Sequence, residues 1–178
     1  LNSTTNIFLV GLMGSGKTTI GRALAKRLNK RFVDADHEIE TRTGATIPLI
    51  FEIEGEASFR QREADVIRDL SAQQGIVLAT GGGVVLREAN RKALRAHTQV
   101  IYLRSTPEQI YQRVKHDRKR PLLQVEDPLA RLQALHAQRD PLYREAAHFT
   151  VDTGRPSLPS LVGLIVSQLE LAGAIPRG

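Results

Sequence analysis

The chain contains no cysteine, no tryptophan and a single methionine, Met13. Without thiols there can be no disulfide framework, no thiolate-ligated zinc and no cysteine nucleophile, and the composition fits a reducing, cytoplasmic setting. Aromatic residues make up only 4% of the chain, too few for the stacked platforms on which single-stranded nucleic acid is held. No stretch reaches the roughly 18 apolar residues that a membrane-spanning helix needs. The apolar patch from Ile7 to Met13 is broken at Gly11 and has no basic leader before it, so neither membrane insertion nor secretion is expected. Repeats and low-complexity tracts are missing too. The five histidines, His37, His97, His116, His136 and His148, follow no metal-ligand or nucleophile–base spacing, which predicts structural or surface roles.

What is present is an ordinary globular balance, 41% hydrophobic and 25% charged over 178 residues, enough for one domain with its own core. The net charge is +6, with a pI near 10.1, and 19 of the 25 basic residues are arginine. A guanidinium matches carboxylate and phosphate with a planar fork, so the expected partner is an anion. Short apolar runs alternate with segments of helical period, the βαβ rhythm of a parallel sheet covered by helices. Strands are predicted at Ile7 to Val10, Phe32-Val33, Ile76 to Ala79, Gln99 to Leu103 and Phe149 to Val151. Helices are predicted over Thr18 to Asn29, Asp36 to Thr43, Pro48 to Glu54 and on past Gly55 to about Gln74. Further helices are predicted over Arg87 to Ala96, after the cap at Thr106, from Pro128 to Ala147 with an interruption at Pro141, and from Ser157 to Leu171.

Gly11 to Thr18 reads GLMGSGKT, the phosphate-loop pattern between a strand and a helix. In such a loop glycines let successive backbone N–H groups turn toward phosphates, with the helix start adding its positive end. That assigns Gly14, Ser15, Gly16, Lys17, Thr18 and Thr19 to nucleotide binding, with Lys17 on the terminal phosphates and the Thr18 hydroxyl on magnesium. An N-K-x-D guanine reader is missing, since Asn29-Lys30-Arg31-Phe32 lacks the acid. Downstream stand Asp34-Ala35-Asp36, where one carboxylate could hold magnesium through water while the other takes the proton of an attacking hydroxyl. Capping of the next helix by Asp36 is the competing account. Arg60 and Glu63 lie three apart on a helix, either as a supported guanidinium or as a plain surface ion pair. Gly81-Gly82-Gly83 follows a strand, either for close approach of a substrate or merely for a tight turn.

Taken together these motifs resemble the shikimate kinase family, over nearly the whole chain and in the family's order. The match includes the phosphate loop, Asp34-Ala35-Asp36, Phe59-Arg60 with Glu63, Thr80 to Gly83, Arg120-Pro121-Leu122-Leu123 and Arg139-Asp140-Pro141-Leu142-Tyr143. The resemblance implies a three-layer α/β P-loop kinase fold, nucleoside monophosphate kinase-like, with a parallel five-stranded sheet. It implies transfer of the γ-phosphate of ATP to the 3-hydroxyl of shikimate, with Mg2+. By position, Asp34 is implied as the outer magnesium carboxylate beside Thr18, and Asp36 as the residue at the reacting hydroxyl. Arg60 and Arg139 are implied as carboxylate clamps, Gly81, Gly82 and Gly83 as substrate-binding, and Arg120 as an arginine from a mobile lid over 115–126. Residues 34–62 form the implied substrate-binding segment. Arg113 and the loop Thr153-Gly154-Arg155-Pro156 take the adenine-side positions.

The chemistry agrees with this assignment, because a hydroxylated ring acid calls for guanidinium groups, a carboxylate and bare amides. Thr80 stands where most P-loop enzymes carry an acid, leaving magnesium to Thr18 and Asp34. ATP and shikimate are the expected partners of a cytoplasmic monomer, with neither nucleic acid nor membrane. Another small-metabolite or nucleoside monophosphate kinase, or a nucleotide-binding switch on nucleic acid, are the alternative readings.

Overall fold

The computed structural model describes residues 3–117, 124–154 and 157–178. Five strands, β1 (Ile7–Val10), β2 (Arg31–Asp34), β3 (Ile76–Ala79), β4 (Gln99–Arg104) and β5 (Phe149–Asp152), form one sheet in the order β2-β3-β1-β4-β5. All four pairings are parallel, with Phe8 of β1 opposite Leu78 of β3 and Val100 of β4. Every residue of β1 and β3 is buried. These central strands are covered on both faces, which is why they read as continuous apolar runs rather than as an alternating pattern.

The two faces feed separate cores. Ile7, Leu9, Val77, Ile101 and Val151 pack with Ile20 and Leu24 of α1 (Lys17–Leu28) and with Leu161 and Ile165 of α7 (Leu158–Leu171). Phe8, Val10, Leu78, Val100 and Tyr102 point the other way. They meet α3 (Ile47–Ser71), α4 (Glu88–His97), α5 (Pro107–Val114) and α6 (Pro128–Ala146). The result is the expected three-layer arrangement. Among the described residues no helix is long and apolar enough to cross a membrane.

Local chemistry sets the helix ends. Asp34 caps α2 (Ala35–Thr43) by accepting from the His37 N–H, and Gly44 closes it in the left-handed conformation. The cap is therefore Asp34, not Asp36. The competing reading of Asp36 fails because the helix begins one residue earlier than its pattern suggests. Thr106 and Gln109 form a reciprocal capping box on α5, satisfying two otherwise orphaned donors. Gly55 lies inside α3 with φ 82° and ψ 173°, a backbone state essentially restricted to glycine. The expected division of this region at Gly55 is thus a kink within α3.

The expected interruption at Pro141 is not found. Helix α6 runs through it from Pro128 to Ala146, although a proline there removes one hydrogen bond and crowds the preceding turn at a cost of about 3 kcal/mol. Its neighbours account for the difference: Asp140 accepts a 2.8 Å hydrogen bond from the Tyr102 hydroxyl, and Tyr143 is fully buried. Tertiary anchoring on both sides holds the helix across its weak point.

Candidate active site

The phosphate loop leaves the carboxyl end of β1 and runs into α1. Gly14 and Gly16 have φ of 71° and 99°, values that other residues rarely adopt. A Cβ on Gly14 would also come within 2.9 Å of Val114, so the loop is packed against α5. Lys17 Nζ donates to the carbonyls of Gly11 and Leu12 at 2.7 and 2.8 Å. Ser15 is buried, and its hydroxyl has no hydrogen-bond partner. Such an orphaned donor in a phosphate-loop motif matches a site built for an anion.

Thr18 Oγ1 donates to Asp34 Oδ2 at 3.1 Å, while Asp34 Oδ1 receives the His37 N–H. A hydroxyl and a carboxylate oxygen this close suit a hard cation such as magnesium, which takes oxygen ligands. Among the described residues no cluster of three or more His, Asp or Glu side chains could hold a metal. Thr80, at the position of the usual acid, is buried and donates its hydroxyl to the Leu9 carbonyl at 2.7 Å. It ties β3 to β1.

A second cluster of side chains assembles around the glycine turn after β3. A Cβ on Gly81 would lie 2.9 Å from both Asp36 Oδ1 and Glu63 Oε2, one on Gly82 would lie 3.5 Å from Arg139 Nη1, and one on Gly83 would fall on the Arg60 guanidinium. Four side chains from α2, α3 and α6 thus converge where the backbone carries none of its own. Tight-turn geometry alone does not explain this turn, because none of the three glycines is at positive φ. Asp36 lies in the first turn of α2, so its direction comes from the helix and not from an extended segment. Its carboxyl is pushed above the ordinary range by burial first and by Asp34 second, with Lys17 pulling the other way.

Glu63 is 1% exposed and accepts from Arg60 Nη1 at 3.0 Å, which rules out a surface ion pair. Burial pushes its carboxyl up to about 7 against the pull of Arg60. Glu56 stands 3.6 Å from Arg60 Nε on the other side. The arginine is braced by its own helix before any ligand arrives.

Arg113 donates to the Gly14 carbonyl at 3.2 Å and to the hydroxyls of Ser105 and Thr153 at 3.1 and 3.4 Å. Ser105 and Thr153 are themselves hydrogen-bonded, so the ends of β4 and β5 hold this arginine against the phosphate loop. Arg120, Arg155, Pro156 and residues 118–123 of the expected lid lie outside the described residues. Of the histidines, His148 accepts the Val100 N–H at 2.9 Å, a structural role between α6 and β4.

A groove of about 1300 Å³ joins the two sides, with Gly14, Lys17, Thr18, Asp34, Asp36, Gly81, Gly82 and Arg113 in its wall. Arg60 and Arg139 are not part of that wall and reach the site through Gly83 and Gly82. Sequence reasoning gave no role to Tyr143, whose hydroxyl donates to the Gly82 carbonyl. The signal available was its spacing of four from Arg139, which puts both on one face of a helix.

A shikimate kinase family model matches residues 13–170. A shikimate kinase from Burkholderia lata is 59% identical over 172 residues, which cover 97% of this chain and 94% of the relative. Among solved structures, shikimate kinase from Acinetobacter baumannii in complex with shikimate has a TM-score of 0.90 at 49% identity, covering 97% of this chain and 96% of that chain. Shikimate kinase from Aquifex aeolicus has a TM-score of 0.83 at 34% identity, covering 94% and 98%. By this family match and by the identity of these relatives over nearly the whole chain, the chain belongs to the shikimate kinase family of ATP-dependent phosphotransferases.

Proposed function

We propose that the chain transfers the γ-phosphate of ATP to the 3-hydroxyl of shikimate, giving ADP and shikimate 3-phosphate, a step toward chorismate and the aromatic amino acids. The observation that carries this reading is the convergence of Asp36, Arg60 and Arg139 on Gly81, Gly82 and Gly83, with Asp36, Gly81 and Gly82 sharing a groove with Lys17 and Thr18. Two cationic forks and bare glycine backbone fit a ring carboxylate and its hydroxyls. A phosphate loop across the groove fits a nucleotide tail.

In this reading Arg60 and Arg139 grip the ring carboxylate and fix the orientation of the acid, which supplies much of what a phosphoryl-transfer enzyme must contribute. Asp36 accepts the proton of the 3-hydroxyl as its oxygen bonds to the γ-phosphorus and the bond to the ADP oxygen breaks. A carboxyl held above its ordinary range is a better match for that proton than a solvated one. Lys17 turns from the Gly11 and Leu12 carbonyls toward the phosphates. Thr18 and Asp34 would hold magnesium, which neutralises phosphate charge. Arg113 lies on the adenine side. The protein acts as a cytoplasmic monomer with two small-molecule partners, and its lack of thiols fits that compartment.

The test is ADP release by the purified chain with shikimate, gluconate or nucleoside monophosphates as acceptor, with turnover expected for shikimate. Asp36→Asn is expected to lower kcat by roughly 10²- to 10⁴-fold, the range for loss of general base catalysis, with an unchanged melting temperature. Arg139→Ala should raise the shikimate KM about 10- to 100-fold, as expected for a lost charged hydrogen bond. A parental kcat in Asp36→Asn would remove that residue from the chemistry. Turnover confined to gluconate or nucleotides would replace the substrate, whereas steeply salt-dependent nucleic-acid binding without turnover would favour a switch.

A further inference from the structure

Tyr143 is fully buried, and its hydroxyl donates to the carbonyl of Gly82, the middle residue of the acceptor turn. It stands one helical turn after Arg139 on α6, close enough for that arginine's charge to act on the phenol. Its ring packs on Tyr102 with centroids 5.0 Å apart, which fixes the plane of the phenol from the sheet side. Burial pushes the phenol up to about 12, so it is protonated and able to donate at neutral pH. Gly82 in turn borders both substrate sides: a Cβ there would lie 3.5 Å from Arg139 Nη1 and 3.6 Å from the backbone nitrogen of Met13 in the phosphate loop. One hydroxyl therefore touches the joint between the carboxylate clamp and the loop.

From this arrangement we infer that Tyr143 is a positioning residue for the acceptor, holding the Gly82–Gly83 peptide in place beside the Arg139 guanidinium through its hydroxyl. The peptide is planar, with its oxygen and its amide hydrogen on opposite sides. By capturing the Gly82 oxygen, the phenol also aims the Gly83 N–H. The Arg139 guanidinium lies against the same Gly82, so two contacts to a ring acid share one reference point, and sub-ångström displacement of either is costly to a reaction that depends on alignment. Tyr143 touches neither reactant in this account, and it rests on the shikimate reading above.

The experiment compares Tyr143→Phe with Tyr102→Phe. Each removes one buried hydroxyl from the same stacked pair, but Tyr102 donates to Asp140 and not to the glycine turn. In Tyr143→Phe the shikimate KM is expected to rise about tenfold, the ATP KM to change less than twofold, and exchange of the Gly83 amide to accelerate. Tyr102→Phe should lower the melting temperature by a similar amount while leaving the shikimate KM near the parental value. Equal rises in shikimate KM in both variants, or parallel rises for shikimate and ATP, would reduce Tyr143 to a packing residue and overturn the inference. A parental shikimate KM in Tyr143→Phe does the same while leaving the proposed reaction intact. A parent chain that releases no ADP with shikimate overturns both.

Discussion

A carboxyl as enclosed as that of Glu63, with 1% of the side chain exposed, is costly to ionise, and Arg60 offsets only part of that cost. Its folded-state value near 7 stands above the ordinary 4.5. Between those values the folded chain holds a proton that the unfolded chain has released, so stability is highest at low pH and falls as pH rises through the window. The loss is on the order of 3 kcal/mol by pH 7.5. Glu63→Gln should therefore flatten the pH dependence of urea unfolding between pH 5 and 7.5 while the neutral amide oxygen still accepts from Arg60. An undiminished slope would show that another group, such as the raised Asp36, carries it. At this scale the sequence discloses residue types and spacing but not enclosure. The Arg60–Glu63 interval of three marks a helical pair, yet only the folding of the Gly81 turn over Glu63 makes it a buried one. The same holds for Tyr143, whose partner is a backbone carbonyl 61 residues away that no side-chain pattern marks.

Elements were more legible, because their signals are local. The central strands show as unbroken apolar runs, and the helices show by period, by caps such as Thr106 and Ser157, and by stops such as Gly44. The misread position is Pro141, where the local rule is overridden by Tyr102 of β4, which holds the helix from outside through Asp140 and the Tyr143 ring. Gly55 shows the reverse, a local requirement with no tertiary contact behind it. Nothing lies within 4 Å of a Cβ added there, and its φ is 82°. The bend lets the first half of α3 depart in a different direction from the half that carries Arg60 and Glu63. Gly55→Ala should consequently destabilise through backbone strain alone, by about 1 to 3 kcal/mol in urea unfolding. A loss below about 0.5 kcal/mol, the range of ordinary surface substitutions, would mean that the kink is not required by the fold.

On the scale of the whole molecule, the parallel sheet explains how positions distant in sequence come to share one groove. All five strands run the same way, so their carboxyl ends lie along one edge, where ligands of open α/β sheets sit. From that edge β1 delivers the phosphate loop, β2 Asp34, β3 the glycine turn, β4 Ser105 and β5 Thr153. The residues proposed to contact nucleotide and acceptor come from different elements, with Lys17 and Thr18 on α1 and Arg60 and Arg139 on α3 and α6. The two ligands should accordingly stabilise the fold by separable amounts. Each at 100 times its Kd adds about 2.7 kcal/mol, or a rise in Tm of about 5 to 10 °C for a chain of this length. Arg139→Ala should abolish the shift caused by shikimate and retain the one caused by magnesium-ATP, while Lys17→Ala should do the opposite. Thermal melts of the parent and both variants, with each ligand alone, decide this. If Arg139→Ala loses both shifts, the arginine supports the groove as a whole, and the division of labour between α1 and the pair α3 and α6 does not hold.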